Sequence, residues 1–212
     1  IPVYCTAITA QALPAGHDIR IIPVRGQFRL GEITVTTGSC GHALGGVWFH
    51  LNIAGGIFYS GDFSLESALF HFDTPPPAHV ALLDASYGLY DVAQSAQWET
   101  LQTLFSLPTL CPVPPSGRAV ELALLLVRQG HTAIALAAPC QAMLRQMVVH
   151  NDGSPRPQSQ GELQQLLPTL TPLSPQSHLV VAAHPDVLSG LVGALCARVD
   201  VSLPAPCTGD PD

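Results

Sequence analysis

The stretch from Ser39 to Asp62 contains two side chains whose types suit metal chemistry. His42 lies in a glycine-rich turn, GHALGG, and Asp62 directly follows the second of the two strand-like segments that come after this turn. The Ala54-Gly55-Gly56 turn predicts a hairpin between these segments, which would bring His42 and Asp62 to the same edge of a sheet. Imidazole and carboxylate are suitable zinc donors, but a site normally takes three or four ligands. The pattern alone leaves open a metal site and the commoner alternative, a surface histidine followed by an ordinary turn.

Other polar groups stand at the ends of predicted strands and helices. Asp84 ends the apolar run HVALLDA, where it is either part of a site or simply an acid that closes a buried strand. Ser116 and Arg118 lie at the start of a helical segment, whose free N–H groups could hold an anion; the alternative is a helix cap beside a surface arginine. His184 follows the last strand-like segment, where α/β folds often place functional groups.

The elements that must position these residues fall into two patterns. Before about residue 78 the chain reads as consecutive, mostly antiparallel strands, and after it strands alternate with helices, which predicts a parallel sheet. Between these helices, the polar segment 150–161 reads as a loop. The predicted strands cover 1–6, 19–24, 32–37, 47–53, 56–60, 109–113, 132–137 and 178–183, and the predicted helices cover 7–13, 94–106, 116–129, 139–148 and 185–197.

The composition excludes several classes of protein. The 212 residues are 47% apolar and only 11% charged, so the chain is not of the disordered type. The eight basic residues are all arginines, the formal net charge is −7, and no strongly basic patch for nucleic acid is visible. The longest apolar run, 119–127, is too short to span a bilayer. Six cysteines without a CxxC pair predict free thiols in a reducing cytoplasm.

Taken in order, GHALGG, YSGDFS and LLDASYG resemble the motif set of the metallo-β-lactamase superfamily, in the β-CASP branch of RNase J-like and polyadenylation-type RNA nucleases. The opening IPVYCT and the segment PPSGRAVELALLL resemble two further segments of that branch. The resemblance implies that His42 binds metal and that Asp62 bridges two zinc ions. It implies that Asp84 orients a neighbouring group at the catalytic site, and that Ser116 and Arg118 lie beside the substrate.

The resemblance also implies the fold and the activity. We expect an α/β protein with a partial metallo-β-lactamase αββα sandwich over residues 1–90, followed by an incomplete Rossmann-like β-CASP domain over 91–212. The implied reaction is hydrolysis of a phosphodiester, with RNA as the expected substrate, by a zinc-activated water in a cytoplasmic enzyme. No membrane partner is expected.

Two departures from the family pattern limit these expectations. The HxHxDH metal motif is absent; in relatives it precedes the strand that resembles Ile1 to Thr6. Asp210 stands where a TGH-like motif would carry a histidine. We therefore expect an internal piece of a longer enzyme, with little activity and weak metal binding on its own, that associates with a missing segment or with a second copy. The alternatives are a hydrolase of small esters or thioesters with the same fold, and a catalytically inactive scaffold that acts through protein contacts.

Overall fold

The computed structural model describes residues 1–182, except residues 87, 107, 151, 175 and 176. Over these residues the protein is a mixed α/β protein with five helices. The chain opens with β1 (Val3–Cys5), α1 (Ala7–Ala12) and β2 (Ile19–Ile21). The strands β1 and β2 pair in parallel, because α1 crosses over between them, which is an exception to the mostly antiparallel pairing predicted before residue 78.

A five-stranded sheet follows, in the order β3-β4-β5-β6-β7. Its first four strands pair antiparallel as predicted, and β7 joins β6 in parallel. The sequence did not predict β3, in which an arginine and a glutamine alternate with apolar residues on a mostly exposed edge. The strands are β3 (Gly26–Leu30), β4 (Ile33–Ser39), β5 (Val47–Leu51), β6 (Ile57–Tyr59) and β7 (Val80–Leu82).

The rest of the described chain alternates helices and strands. The three strands β8, β9 and β10 form a parallel sheet in the order β8-β10-β9, which confirms the parallel pairing predicted for this part. The elements are α2 (Gln94–Gln102), β8 (Thr109–Pro112), α3 (Arg118–Arg128), β9 (Ile134–Leu136), α4 (Ala138–Val149), α5 (Pro157–Thr169) and β10 (Leu179–Ala182).

Helix α3 is the central element of the largest hydrophobic core. Most of its residues are buried, and its leucines pack with side chains of α4, α5, β9 and β10. The same core includes Leu44, Leu69 and Phe70, which come from the segments around the five-stranded sheet. Packing around α3 therefore joins the early and late parts of the chain.

Helix α5 overlaps the segment 150–161 that was predicted to be a loop, so that prediction is wrong from Pro157 onwards. A proline in the first helical turn costs no hydrogen bond, because the N–H it lacks would have no partner within the helix. The buried face of α5 is narrow and consists of Ser159, Leu163 and Leu166. The many glutamines on the other positions hide this apolar spacing in the sequence.

An ion pair connects α3 to α5, and it gives the fold a testable pH dependence. Arg128 donates from Nη2 to Glu162 Oε2 at 2.5 Å and from Nε to Oε1 at 3.0 Å. The hydrogen bond from Arg128 lowers the pKa of Glu162 below its ordinary value. Because the pKa is lower in the folded chain, the stabilisation is present above the unfolded-state pKa and is lost as pH falls through the folded-state value.

We expect Glu162→Gln to lower the free energy of unfolding at neutral pH by about 0.5 kcal/mol, since both side chains are partly exposed and solvent screens the pair. The difference from wild type should shrink as the pH falls below the ordinary range of a carboxylate. Urea unfolding over a pH series measures it, with Glu99→Gln on α2 as the control. An equal loss in both variants, or a loss that does not change with pH, would contradict this role for the pair.

Candidate functional site

The topology of the five-stranded sheet brings the ends of three strands to one edge. Strands β4 and β6 both run antiparallel to β5, and β7 runs parallel to β6, so the carboxyl ends of β4, β6 and β7 lie on the same side. His42 follows β4, Asp62 follows β6 and Asp84 follows β7. The predicted edge arrangement of His42 and Asp62 is therefore present, and Asp84 joins the same edge.

His42 and Asp62 lie on two turns that are hydrogen-bonded to each other. The Ser64 N–H donates to the Cys40 carbonyl at 3.0 Å, and this fixes the turn after β6 against the turn after β4. Gly41 has a φ of +72°, and a Cβ there would collide with the Ser64 carbonyl oxygen, so glycine is required for this close approach. The result is a separation of 3.9 Å between His42 Nε2 and Asp62 Oδ2.

Both side chains remain open to solvent, with 39% of the His42 and 74% of the Asp62 side chain exposed. Asp84 is held differently. Its N–H donates to Ser60 Oγ at 3.0 Å, and its Oδ1 accepts from the N–H of Ser86 at 3.2 Å and from the Ser86 hydroxyl. One oxygen of the Asp84 carboxylate is thus occupied by its own turn, as in an Asx-turn.

Arg118 is the first residue of α3 and is fixed by a buried acid. Its Nη1 donates at 2.9 Å to Oε2 of Glu121, whose side chain is only 5% exposed. The other oxygen, Oε1, accepts from Ser67 Oγ at 2.8 Å and from the Ala68 N–H at 2.5 Å. A buried carboxylate needs such partners, because an unpaired buried charge is strongly destabilising.

These residues surround one open cleft of about 780 Å³. His42, Asp62, Asp84 and Arg118 all line it, although 76 positions separate the first from the last in the sequence. Ser116 does not line the cleft and is exposed. Gly117 takes the N-cap position of α3, so Ser116 is not the helix cap that the sequence predicted. His184 lies outside the described residues.

The sequence did not single out three residues that shape the cleft, namely Gln94, Trp98 and Glu121. The side-chain amide of Gln94 is oriented so that both its oxygen and its nitrogen have hydrogen-bond partners. The oxygen accepts from Arg118 Nη1 at 3.1 Å, and the nitrogen donates to the Glu66 carbonyl at 3.3 Å. A signal existed for Glu121, because an acid that interrupts the apolar run 119–127 must find a partner, and Arg118 stands three positions before it. Gln94 and Trp98 carry no comparable signal.

The donor types at the cleft suit zinc, but their number does not complete a centre. His42 and Asp62 provide an imidazole and a carboxylate, and a zinc site normally needs three or four ligands. Over the described residues, no group of three or more His, Cys, Asp and Glu side chains is placed to hold a metal ion. A complete centre would need ligands from outside the described part of the chain.

Among the cysteines of the described residues, Cys5, Cys40 and Cys111 are free thiols. Burial raises the pKa of the Cys40 thiol, which lies beside the His42 turn, above its ordinary value. Burial also raises the pKa of Cys111 to about 11. Because the thiolate is the reactive form, neither thiol is activated as a nucleophile at neutral pH. Cys196 and Cys207 lie outside the described residues.

No protein-family model matches the chain, and no curated protein matches it with significant similarity. Among the described helices, none has the length and apolar character that crossing a membrane requires.

The geometry around Gly117 predicts that adding a single methyl group there destabilises the fold. Gly117 has a φ of +149°, and an added Cβ would lie 2.6 Å from Cε2 of the buried Phe70 ring. We expect Gly117→Ala to lower the free energy of unfolding by roughly 1–3 kcal/mol, because strained backbone of this kind carries that cost before any clash is counted.

Gly161→Ala is the matched control for this substitution. Gly161 is exposed within α5 and an added Cβ would meet nothing within 4 Å, so alanine there should stabilise the protein by about 0.5–1 kcal/mol. Denaturant unfolding measures both variants. Equal stability of the two variants would show that the contact of Gly117 with Phe70 does not constrain the start of α3.

Proposed function

We propose that the cleft is part of the active site of a metal-dependent hydrolase of the metallo-β-lactamase and β-CASP type, acting on a phosphodiester. The finer fold belongs to the same proposal: a partial αββα sandwich over 1–90, followed by a Rossmann-like β-CASP domain over 91–212. The five-stranded sheet in the first range and the parallel three-stranded sheet in the second are compatible with this division. RNA as the natural substrate and a cytoplasmic location are also part of the proposal.

One observation carries the proposal. The resemblance assigned roles to His42, Asp62, Asp84 and Arg118 from separate motifs, and all four line the same cleft. The sheet topology by itself brings the three strand ends together, so the presence of Arg118 from a helix start in the same cleft is what supports a shared role. Ser116, to which the resemblance also gave a substrate contact, adds no support, since it lies outside the cleft lining.

Each of the four residues at the cleft would have a separate role. His42 and Asp62 would be two of the ligands of a zinc centre, which when bound supplies an activated water and a Lewis acid. Asp84 would orient a neighbouring group through the oxygen that its own turn leaves available, in the way that outer carboxylates fix imidazoles. Arg118, held by Glu121, would bind a phosphoryl oxygen and neutralise its charge.

The alternative is a catalytically inactive scaffold, and a different observation favours it. Apolar side chains are exposed along the edge strand β7 and beyond it, among them Leu82, Leu83 and Leu89. Exposed apolar side chains on an edge strand favour contact with another protein or with a second copy of the chain. The hydrolase requires His42 and Asp62 to bind zinc, whereas the scaffold does not.

Zinc titration of the purified chain tests the proposed function. We expect weak zinc binding by calorimetry, because two donors are fewer than a stable site needs. We expect His42→Ala and Asp62→Asn each to weaken that binding by about tenfold or more, which corresponds to ~1.4 kcal/mol. A gain of phosphodiesterase activity with zinc would add direct support, although the partial ligand set predicts little turnover.

His17→Ala is the control, because His17 is exposed and does not line the cleft. If zinc affinity falls equally in this variant, the binding is non-specific surface binding. If zinc affinity is unchanged in His42→Ala and in Asp62→Asn, the hydrolase proposal is wrong and the scaffold is favoured.

A further inference from the structure

The cleft combines its polar end with an apolar wall that faces solvent. Leu65, Tyr90, Val92 and Leu101 line the cleft and are all exposed large hydrophobic side chains. Trp98 lies among them, half-buried, and its indole packs against Phe105 with ring centroids 5.7 Å apart. A concave surface with several exposed apolar side chains and a few polar groups is typical of a site for a small molecule with an apolar part.

The charges in the cleft are poorly suited to a polyanion. Four acids line it, Asp62, Glu66, Asp84 and Glu121, and among the described residues Arg118 is the one arginine in the lining. The chain contains no lysine, so no other permanently cationic side chain type is available. A groove that follows a nucleic acid backbone neutralises several phosphates with Lys and Arg side chains. In the described part of the chain, this cleft offers one such side chain.

Arg118 is set up to bind a single anionic group. Its Nη1 is occupied by Glu121, and the described residues provide no hydrogen-bond acceptor for its Nε and Nη2. Those two groups form the side of a guanidinium that binds two oxygens of one phosphate or carboxylate. Because Glu121 fixes the guanidinium, the arginine loses little side-chain entropy when a ligand binds.

We propose that the cleft binds a compact phosphodiester that carries a single negative charge and an aromatic or other apolar substituent, and not an extended polynucleotide. In this arrangement one phosphate oxygen pair contacts Arg118, and the apolar substituent packs on Trp98 and its neighbours. A volume of about 780 Å³ accommodates a ligand of that size. The inference rests on the proposed function, because it takes the phosphodiester chemistry from it, but it replaces RNA as the ligand with a compact diester.

Tryptophan fluorescence provides a direct test, because the chain has only two tryptophans and Trp48 is buried in the sheet. Diphenyl phosphate, dimethyl phosphate, benzyl alcohol and a short oligouridylate are titrated into the purified chain at near-physiological ionic strength. We expect diphenyl phosphate to bind about tenfold more tightly than each of the other three. The change in emission should disappear in Trp98→Phe, which retains Trp48.

Two substitutions separate the charged from the apolar contribution. Arg118→Gln should weaken diphenyl phosphate binding by about tenfold and leave benzyl alcohol binding unchanged. Since this variant leaves the buried Glu121 without its cation, Leu101→Asn at an exposed wall position is a second variant, expected to weaken both ligands without loss of thermal stability. Arg145→Gln on α4, away from the cleft, is the control and should bind like wild type.

The outcomes distinguish this inference from the proposed function. Tighter binding of the oligouridylate than of diphenyl phosphate, with steep salt dependence, would overturn the inference and leave a phosphodiester site in place. Equal binding of diphenyl phosphate and benzyl alcohol, unaffected by Arg118→Gln, would show that no phosphate is recognised and would overturn both. Absence of binding by diphenyl phosphate overturns the inference, and the zinc titration then decides the proposed function independently.

Discussion

The buried carboxylate of Glu121 connects the parts of the molecule that form the cleft. It accepts hydrogen bonds from Ser67 and Ala68, which lie between strands β6 and β7 of the five-stranded sheet, and from Arg118 on its own helix. A carboxylate with so little solvent access is stable only while these donors remain in place. The position of α3 against residues 67–70, the core contact with Phe70 and the orientation of Arg118 therefore depend on one another.

The cleft is lined by residues from two sets of elements. The carboxyl ends of β4, β6 and β7 supply His42, Asp62 and Asp84 on one side. Helices α2 and α3 supply the other side, where Trp98, Leu101, Leu122 and Leu125 alternate with Arg118. Both sides are mixed in character, because the segments after the strands also supply Leu65, Tyr90 and Val92, and the helices also supply Gln94 and Glu121.

Local sequence patterns were sufficient to predict most of the helices and strands, and to predict that His42 and Asp62 lie at the same edge of a sheet. Turn chemistry at Gly55 and Gly56 determines the hairpin, and the hairpin determines which strand ends meet. The sequence failed where tertiary contacts decide. Helix α5 reads as a loop because Leu163 and Leu166 form too narrow an apolar face to stand out among glutamines. The helix between β1 and β2 was predicted, but the strand patterns do not show that these two strands pair in parallel.

Prediction from the sequence was also limited for single residues of the site, because tertiary contacts decide their surroundings. Motif order placed His42, Asp62, Asp84 and Arg118 in one cleft, but it contained no information on what surrounds them. Gln94 and Trp98 come from a helix whose sequence has no clear apolar face and no buried residue. Their importance arises only in the folded chain, where Gln94 accepts from Arg118 and both residues line the same cleft as Arg118. The motifs thus predicted which residues would meet at the cleft, whereas its apolar wall becomes visible only in the folded chain.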